Sequence, residues 1–197
     1  MDLKFFFQKI RRRLWIINRI GYKRFGRKVL VEKPLVIRGK HFISINDGTT
    51  ILRNARIECI CTYGNQDLSP DLVIGKDCYI GYNFQCLVTT QCNIGNNCLL
   101  ASNILITTEN HGMDPTKLYV NQQLISKEVY IGNNVWIGER VIILPGAKIG
   151  NNCIIGAGSI VNSSIPDNCI AVGSPATIKK KYNLKEERWE VWNMLNK

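Results

Sequence analysis

Histidine is scarce in this sequence, and long apolar runs are missing. Only His41 and His111 occur among the 197 residues, so one copy of the chain cannot supply three histidine ligands to a catalytic zinc ion. Basic residues at positions 9 and 11–13 interrupt the apolar stretch 5–20, which leaves no run near the 18 or so residues that a membrane-spanning helix needs. No secretory signal precedes the eight cysteines, so we expect free thiols and a cytoplasmic protein.

Acidic residues are rare at the start of the chain. Residues 1–33 contain eleven Lys or Arg but only Asp2 and Glu32, a net charge of +9, whereas the rest of the chain carries only +2. Apolar side chains recur on one helical face of this segment: Leu3, Phe6, Phe7, Ile10, Leu14 and Ile17. We predict a basic amphipathic helix that either contacts the inner face of a membrane through residues 1–20 or packs against the rest of the protein. Nucleic-acid binding is disfavoured, because no recognition module accompanies the charge.

A six-residue period dominates the second half of the sequence. Aliphatic residues recur at this spacing: Ile131, Ile137, Ile143, Ile149, Ile155 and Val161. The same phase occurs upstream in shorter runs: Ile45, Ile51 and Ile57, then Ile74 and Ile80, then Ile94, Leu100 and Ile106. The position four residues after each anchor is mostly small or apolar, and four cysteines fall there: Cys61, Cys78, Cys98 and Cys153.

This period predicts a solenoid of stacked coils. A short strand supplies one inward aliphatic side chain, and a second inward residue lies near the corner. Segments such as IGNNCL, IGNNVW and IGNNCI place Gly and Asn in the corners, where positive φ angles are needed. Coils of this kind bury one continuous column, so each is stabilised only by its neighbours. A β-sandwich is the alternative, but it gives no reason for one six-residue phase over thirty positions.

Four motifs extend this pattern: VWIG at 135–138, LPGAKIG at 144–150, IGAGSIV at 155–161 and VGSPA at 172–176. With them, residues 74–178 closely resemble the hexapeptide-repeat acyltransferases, and most of all the maltose, galactoside and surface-polysaccharide O-acetyltransferases. The resemblance implies an all-β solenoid, the left-handed parallel β-helix of triangular section. It also implies a homotrimer in which acetyl-CoA lies in the groove between neighbouring chains.

One long insertion breaks the phase between Ile106 and Ile131, and it forms a loop over residues 107–130. Its segment TENHGMDP resembles the catalytic loop of the family, which makes His111 the general base that activates a hydroxyl group. Histidine suits this task because it titrates near neutrality. Glu109 and Asp114 are candidates for orienting the imidazole, although a loop carboxylate is ordinarily only solvated.

The resemblance also assigns binding positions. Those that match the acetyl-CoA groove are Trp136, Gly138, Ala157, Gly158, Asn162, Ser163, Lys179 and Lys180. Coil packing is the alternative role of Trp136, and a solvated face that of the lysines. For the acceptor we predict contacts with Asn110, Met113 and Leu87. Leu87 stands where the galactoside enzymes have an acceptor-binding asparagine, so the resemblance leaves the identity of the acceptor open.

The predicted organisation has three parts: the basic segment 1–33, the β-helix 34–178 and a C-terminal helix 179–197. Asn183 and Glu186 have the spacing of a capping box, which favours a helix at that end. The predicted function is O-acetylation of a sugar, in surface-polysaccharide or lipid-linked glycan synthesis, without a metal. The alternatives are chloramphenicol-type or serine acetylation, a zinc carbonic anhydrase on the same scaffold, and a nonenzymatic binding or scaffold solenoid.

Sedimentation with liposomes distinguishes the two roles predicted for the basic segment, membrane contact and packing against the rest of the protein. If this segment binds anionic lipid, deleting residues 1–20 moves the protein from anionic liposomes to the supernatant, because the apolar face and most of the positive charge are lost. Neutral liposomes are the control for nonspecific adsorption. Unchanged partitioning of the truncated protein would rule out the membrane role.

Overall fold

The computed structural model describes residues 19–192, so the predicted amphipathic face from Leu3 to Ile17 lies outside the described residues. Within 19–192, no helix is both long and apolar enough to cross a membrane. Two short 3-10 helices are present, at Lys40–Phe42 and Tyr119–Asn121.

The other regular elements that lie wholly within residues 19–192 are short strands. In chain order they are β1 (Arg24–Phe25), β2 (Leu30–Val31), β3 (Val36–Arg38), β4 (Ile43–Ile45), β5 (Thr50–Ile51), β6 (Arg56–Cys59), β7 (Thr62–Tyr63), β8 (Gln66–Asp67), β9 (Asp71–Ile74), β10 (Tyr79–Ile80), β11 (Gln85–Val88), β12 (Gln91–Ile94), β13 (Leu99–Leu100), β14 (Leu105–Thr107), β15 (Glu109–His111), β16 (Leu124–Ser126), β17 (Val129–Ile131), β18 (Trp136–Ile137), β19 (Ile142–Ile143), β20 (Lys148–Ile149), β21 (Ile154–Ile155), β22 (Ile160–Val161), β23 (Ser164–Ile165), β24 (Cys169–Val172), β25 (Thr177–Asn183) and β26 (Arg188–Val191).

Three sheets form the walls of the solenoid. Sheet 1 has the order β1-β4-β9-β12-β17-β20-β23, sheet 2 the order β2-β5-β10-β13-β18-β21-β24-β25-β26, and sheet 3 the order β3-β6-β11-β14-β19-β22. Strands that pair in sheet 1 and sheet 3 are parallel, and so are those of sheet 2 up to β24. The chain passes from sheet 1 to sheet 2 to sheet 3 in each coil, so it forms a parallel β-helix with three edges. Edge 2/3 denotes the corners from sheet 2 to sheet 3, and edge 3/1 the corners from sheet 3 to sheet 1.

The six-residue anchors form the interior, as the period predicts. In the ladder of sheet 1, Ile94 pairs with Ile131 and Ile131 with Ile149, so like residues stack from coil to coil. These anchors are fully buried: Ile131, Ile137, Ile143, Ile149, Ile155 and Val161. Burying one such side chain contributes about 1.5–3 kcal/mol, and the column repeats this gain in every coil. The solenoid interpretation is therefore confirmed.

The corner cysteines are mostly structural. Cys78, Cys98 and Cys153 are buried free thiols at the predicted inward position, and Cys169 occupies the same position one coil later. Cys61 is exposed, so its assignment to this position was wrong. The reason is that the chain leaves the regular coil after β6 to form the β7–β8 hairpin.

Asparagine ladders hold the corners. Asn97, Asn134 and Asn152 all have positive φ angles, at 57°, 53° and 55°. Their side chains also bond along the solenoid axis, since Asn134 Nδ2 donates to Asn152 Oδ1 at 2.9 Å and Asn152 Nδ2 to Asn168 Oδ1 at 3.0 Å. Asparagine therefore serves both the corner conformation and the contact between coils.

Two predicted boundaries are wrong. Strands β1 and β2 already pair in parallel with β4 and β5, so the solenoid begins at Arg24 and not at residue 34. The predicted C-terminal helix is replaced over 177–191 by the antiparallel hairpin of β25 and β26, which continues sheet 2.

The local chemistry explains the hairpin. Asn183 Oδ1 accepts the backbone N–H groups of Lys185 and Glu186 at 2.9 and 3.2 Å, so the apparent capping box closes a tight turn. Glu187 then adopts a φ of 48°, which reverses the chain. Tyr182 faces Trp189 across the two strands, with ring centroids 5.2 Å apart. This aromatic pair stabilises the sheet extension over a helix.

The asparagine ladder gives a stability prediction. Replacing Asn152 by Ala removes both ladder bonds and places at a φ of 55° a residue that tolerates positive φ less well than Asn, so we expect a loss of about 1–3 kcal/mol in the free energy of unfolding. Asn152→Gly is the matched variant, because it loses the same bonds but accepts the φ angle, and it should lose less. Urea denaturation measures both. Equal losses would show that the corner conformation contributes nothing.

Candidate functional site

The inserted loop is fixed to the coil at its root. It leaves the solenoid at edge 3/1, after β14, and returns as β17. The Thr108 backbone N–H donates to the Leu87 carbonyl at 3.0 Å, and the Lys127 N–H donates to the Thr108 carbonyl at 2.8 Å. Hydroxyl groups connect the two stems, since the buried Thr89 Oγ1 lies 3.2 Å from Thr108 Oγ1 and 2.8 Å from the half-buried Ser126 Oγ. The two stems of the loop are thereby held together.

His111 ends the strand β15 and is exposed. In the β15–β16 hairpin it lies opposite Leu124. The neighbouring β7–β8 hairpin binds that partner strand, because Gln66 Nε2 donates to the Leu124 carbonyl at 3.0 Å and the Leu124 N–H donates to Gln66 Oε1 at 2.8 Å. The ring of Tyr63, from the same hairpin, stands edge-on to the imidazole at 5.5 Å between centroids. His111 is therefore presented by two hairpins and not by one free loop.

Tyr63 and Gln66 are site residues that sequence reasoning missed. Their signal is another break in the six-residue phase, because the stretch between Ile57 and Ile74 does not fit the period. That break contains the β7–β8 hairpin. The two insertions leave different coils, but the stacking of the coils brings them together.

The two predicted orienting carboxylates differ in their surroundings. Asp114 Oδ1 accepts from the Thr116 hydroxyl at 2.6 Å, and Asp114 Oδ2 lies 3.0 Å from Lys117 Nζ. The Thr116 and Lys117 contacts hold the pKa of the Asp114 carboxyl below its usual value. Glu109 is half-buried, and Thr108 Oγ1 donates to its carboxylate at 3.4 Å. Within residues 19–192, neither carboxylate makes a hydrogen bond to His111.

The predicted acceptor residues lie around the loop root. Leu87 pairs with Thr107 in sheet 3, on the coil next to the point where the chain departs. Asn110 is exposed beside His111 in β15, and Met113 is 69% exposed two residues beyond it. The structure thus groups all three on the side of edge 3/1.

The predicted donor positions do not come together within one chain. Trp136 lies on the outer face of sheet 2, and it is 50% exposed, so it is not a residue of the coil interior. Gly138 and Ala157 are adjacent on edge 2/3, where a β-carbon at Gly138 would lie 2.6 Å from the Ala157 nitrogen. The remaining positions on this side are Gly158 at the same edge, and Lys179 and Lys180 on β25.

Asn162 and Ser163 lie elsewhere, at edge 3/1, between β22 and β23. This is the edge from which the His111 loop departs. One chain therefore presents part of the predicted donor set beside its own His111 loop and the other part on a different edge of the prism.

Two open cavities flank these features. A groove of about 500 Å³ lies on sheet 2 beneath the C-terminal hairpin, and its walls include Leu99, Trp136, Ile154 and Trp189. A cavity of about 530 Å³ adjoins Tyr63 and is lined mainly by amides: Asn65, Gln66, Asn121, Gln122 and Gln123. Within the described 19–192, no three His, Cys, Asp or Glu side chains converge in a group that could hold a metal ion.

Two family models match the coils on either side of the loop. Residues 128–163 match the bacterial transferase hexapeptide (six repeats), and residues 71–108 match the hexapeptide repeat of succinyl-transferase. The two matches cover coils on either side of the loop, and loop residues 109–127, with His111, fall between them.

The sequence is also similar to individual proteins, over longer stretches than the family models match. A galactoside O-acetyltransferase of Lactococcus lactis is 40% identical over 109 residues, which cover 55% of this chain and 52% of that protein. The chain thus spans about half of that relative's length. A galactoside O-acetyltransferase of Escherichia coli is 34% identical over 142 residues, 71% of this chain and 67% of that one.

A solved structure shares the architecture. It is a galactoside acetyltransferase in complex with coenzyme A, 29% identical, with a TM-score of 0.55 over 76% of this chain and 70% of that one. This similarity confirms the predicted left-handed parallel β-helix.

The half-buried Glu109 gives a pH-dependent prediction. Burial raises the pKa of its carboxyl group, although the Thr107 and Thr108 hydroxyls and His111 oppose the rise. The folded state therefore holds this proton to higher pH than the unfolded state does, and stability falls as pH rises from the unfolded pKa through the folded one. We expect Glu109→Gln to raise Tm at about pH 8, with a gain that shrinks towards about pH 4. Glu128→Gln, at an exposed position of the same loop, controls for the lost charge; an equal gain there would contradict the burial effect.

Proposed function

Because this chain belongs to the hexapeptide-repeat acyltransferase family, we propose that it transfers an acetyl group from acetyl-CoA to a hydroxyl group of a sugar. The observation that carries the proposal is His111, an exposed imidazole held at the root of a rigid insertion. The names of the relatives support the sugar hydroxyl as acceptor, and the bound coenzyme A of the solved galactoside acetyltransferase supports the donor.

In the proposed reaction, the neutral imidazole of His111 removes the proton of the acceptor hydroxyl while the hydroxyl oxygen attacks the thioester carbonyl. The resulting tetrahedral intermediate collapses when the carbon–sulfur bond breaks. The proton passes to the departing sulfur, so the products are the O-acetyl sugar and free CoA. Positioned general-base catalysis of this kind typically contributes about 10²–10⁴ in rate. No covalent intermediate on the protein is required.

Glu109 and Asp114 receive different roles. The charge of His111 opposes the rise in the pKa of the Glu109 carboxyl, so we assign this carboxylate electrostatic support of the imidazolium that forms in the reaction. Asp114 shapes the loop through Thr116 and Lys117. For the acceptor we retain Asn110, Met113 and Leu87, which lie on the side of edge 3/1.

The proposed assembly is a homotrimer. One chain carries Asn162, Ser163 and the His111 loop at edge 3/1, while Trp136 and Ala157 lie on sheet 2 and edge 2/3. If acetyl-CoA contacts all of these positions, two chains must each contribute one edge to the same groove. A closed threefold ring provides three such grooves, each between edge 3/1 of one chain and edge 2/3 of its neighbour.

The natural acceptor is proposed to be a surface polysaccharide or a lipid-linked glycan. The +9 charge of residues 1–33 supports a location at the inner face of a membrane, where such glycans are assembled. The exposed part of this charge within the described residues includes Arg24, Arg27 and Lys28.

The base assignment is tested by turnover. Purified protein is incubated with acetyl-CoA and a panel of galactosides, nucleotide sugars, lipid-linked sugars and antibiotics, and release of free CoA is followed. His111→Ala should lower kcat with the best acceptor by about 10²–10⁴. His41→Ala, at the other histidine of the chain, should leave kcat unchanged, because His41 is exposed and contacts Phe42, with ring centroids 4.0 Å apart. Equal CoA release by His111→Ala and wild type would overturn the proposal.

A further inference from the structure

The hydroxyl group of Tyr63 contacts the catalytic imidazole from a different coil. Tyr63 Oη lies 3.5 Å from His111 Nδ1. Within residues 19–192, it is the only hydrogen-bond partner of either ring nitrogen. The long distance is of the kind found before substrate closes an active site.

The proton of the Tyr63 hydroxyl already forms a hydrogen bond with another group. Tyr63 Oη donates to the Val120 carbonyl oxygen at 2.8 Å. A carbonyl oxygen only accepts and a tyrosine hydroxyl has one proton, so the proton points at Val120. Towards His111 the oxygen therefore presents a lone pair.

The lone pair that Tyr63 presents determines which tautomer of His111 is favoured. A lone pair on Tyr63 Oη attracts Nδ1 only when Nδ1 carries a hydrogen. A neutral imidazole has a single N–H, so Nε2 is then left with the free lone pair. This is the nitrogen that can accept a proton from the acceptor hydroxyl.

We propose that Tyr63 is a positioning residue that fixes His111 in the Nδ1–H tautomer and leaves Nε2 free as the base. The inference rests on the proposed role of His111 and adds to it the group that directs the imidazole. It also gives the β7–β8 hairpin a part in the reaction, although this hairpin contains no residue of the predicted site.

The surrounding bonds keep this arrangement fixed. Gln66 clamps the hairpin to Leu124, the residue opposite His111. On the other side of Val120, the buried Gln122 accepts the Asp114 N–H at 2.9 Å and donates to the Asp114 carbonyl at 2.8 Å. Val120 itself lies in the 3-10 helix between these two anchors. The Val120 carbonyl, which accepts the hydrogen bond from Tyr63, is therefore fixed in position by neighbouring bonds, as the imidazole is.

The tautomer is measured directly by NMR on protein labelled with ¹⁵N-histidine. The chain has only two histidines, so His41→Gln assigns the signals. At about pH 8.5, where an ordinary imidazole is neutral, wild-type His111 should show a protonated Nδ1 and an unprotonated Nε2. An unconstrained histidine in water prefers the opposite tautomer. Tyr63→Phe should therefore shift His111 towards the Nε2–H form.

The kinetic effect should be confined to turnover. Losing one neutral hydrogen bond to the base is expected to lower kcat by about three- to tenfold, with little change in the KM for acetyl-CoA. Tyr130→Phe is the matched control, since Tyr130 is an exposed tyrosine on sheet 1, and it should change neither the tautomer nor kcat. Thermal melts establish that both variants are folded.

The outcomes separate the two proposals. A predominant Nε2–H form of His111 in the wild type would overturn the role of Tyr63. This measurement does not depend on the folding of any variant. An unchanged tautomer in a folded Tyr63→Phe protein would also overturn that role. Full activity of His111→Ala would instead remove the base assignment, whatever the NMR spectrum shows.

Discussion

Each coil of this protein can bury its aliphatic side chains only against the coils above and below it. Ile131 in sheet 1 lies between Ile94 and Ile149, which belong to the coils before and after it, so a single turn cannot supply those neighbours. This mutual burial is the constraint on which the other features depend. It fixes the register in each sheet, because a shift of one residue would turn the anchors outwards. It also makes the corners narrow, so most positive-φ corner positions are occupied by Gly, Asn or Asp, with Lys28, Lys33 and Arg140 as exceptions.

The same constraint places the candidate functional residues at the edges of the solenoid. An interior filled by a repeating column has no room for polar chemistry, so additional residues can leave the coil only at a corner. Two insertions do so, and both the β7–β8 and the β15–β16 hairpins emerge from coils that continue beyond them. Because the coils are stacked in fixed register, Tyr63 and His111 meet although 48 positions separate them. The rigid column thus controls the geometry of a site that it does not contain.

The sequence predicts the periodic part of the molecule well, and its predictive power ends where the period does. Ile137 and Ile155 were assigned inward because a six-residue phase has only one physical solution for them. Asn183 and Glu186 misled because a side-chain oxygen that accepts two backbone N–H groups begins a helix and a tight turn equally well. The hairpin is favoured over a helix by the pairing of Tyr182 with Trp189 across two strands. This pairing requires that β24 be available as the edge strand of sheet 2, with which β25 pairs.

The site was predictable only in part for a related reason. The sequence around His111 carries a recognisable loop, whereas the partner of its ring nitrogen comes from another coil, and no local spacing connects the two. Carboxylates close in sequence were the natural candidates, but Asp114 is held by Thr116 and Lys117, and Glu109 is tied to the loop root. An imidazole directed by a neutral hydroxyl has a chemical advantage over one directed by a carboxylate. In the proposed reaction, the hydroxyl selects the tautomer and adds no negative charge of its own to that of Glu109, so it does not further hold the proton that must pass to the departing sulfur.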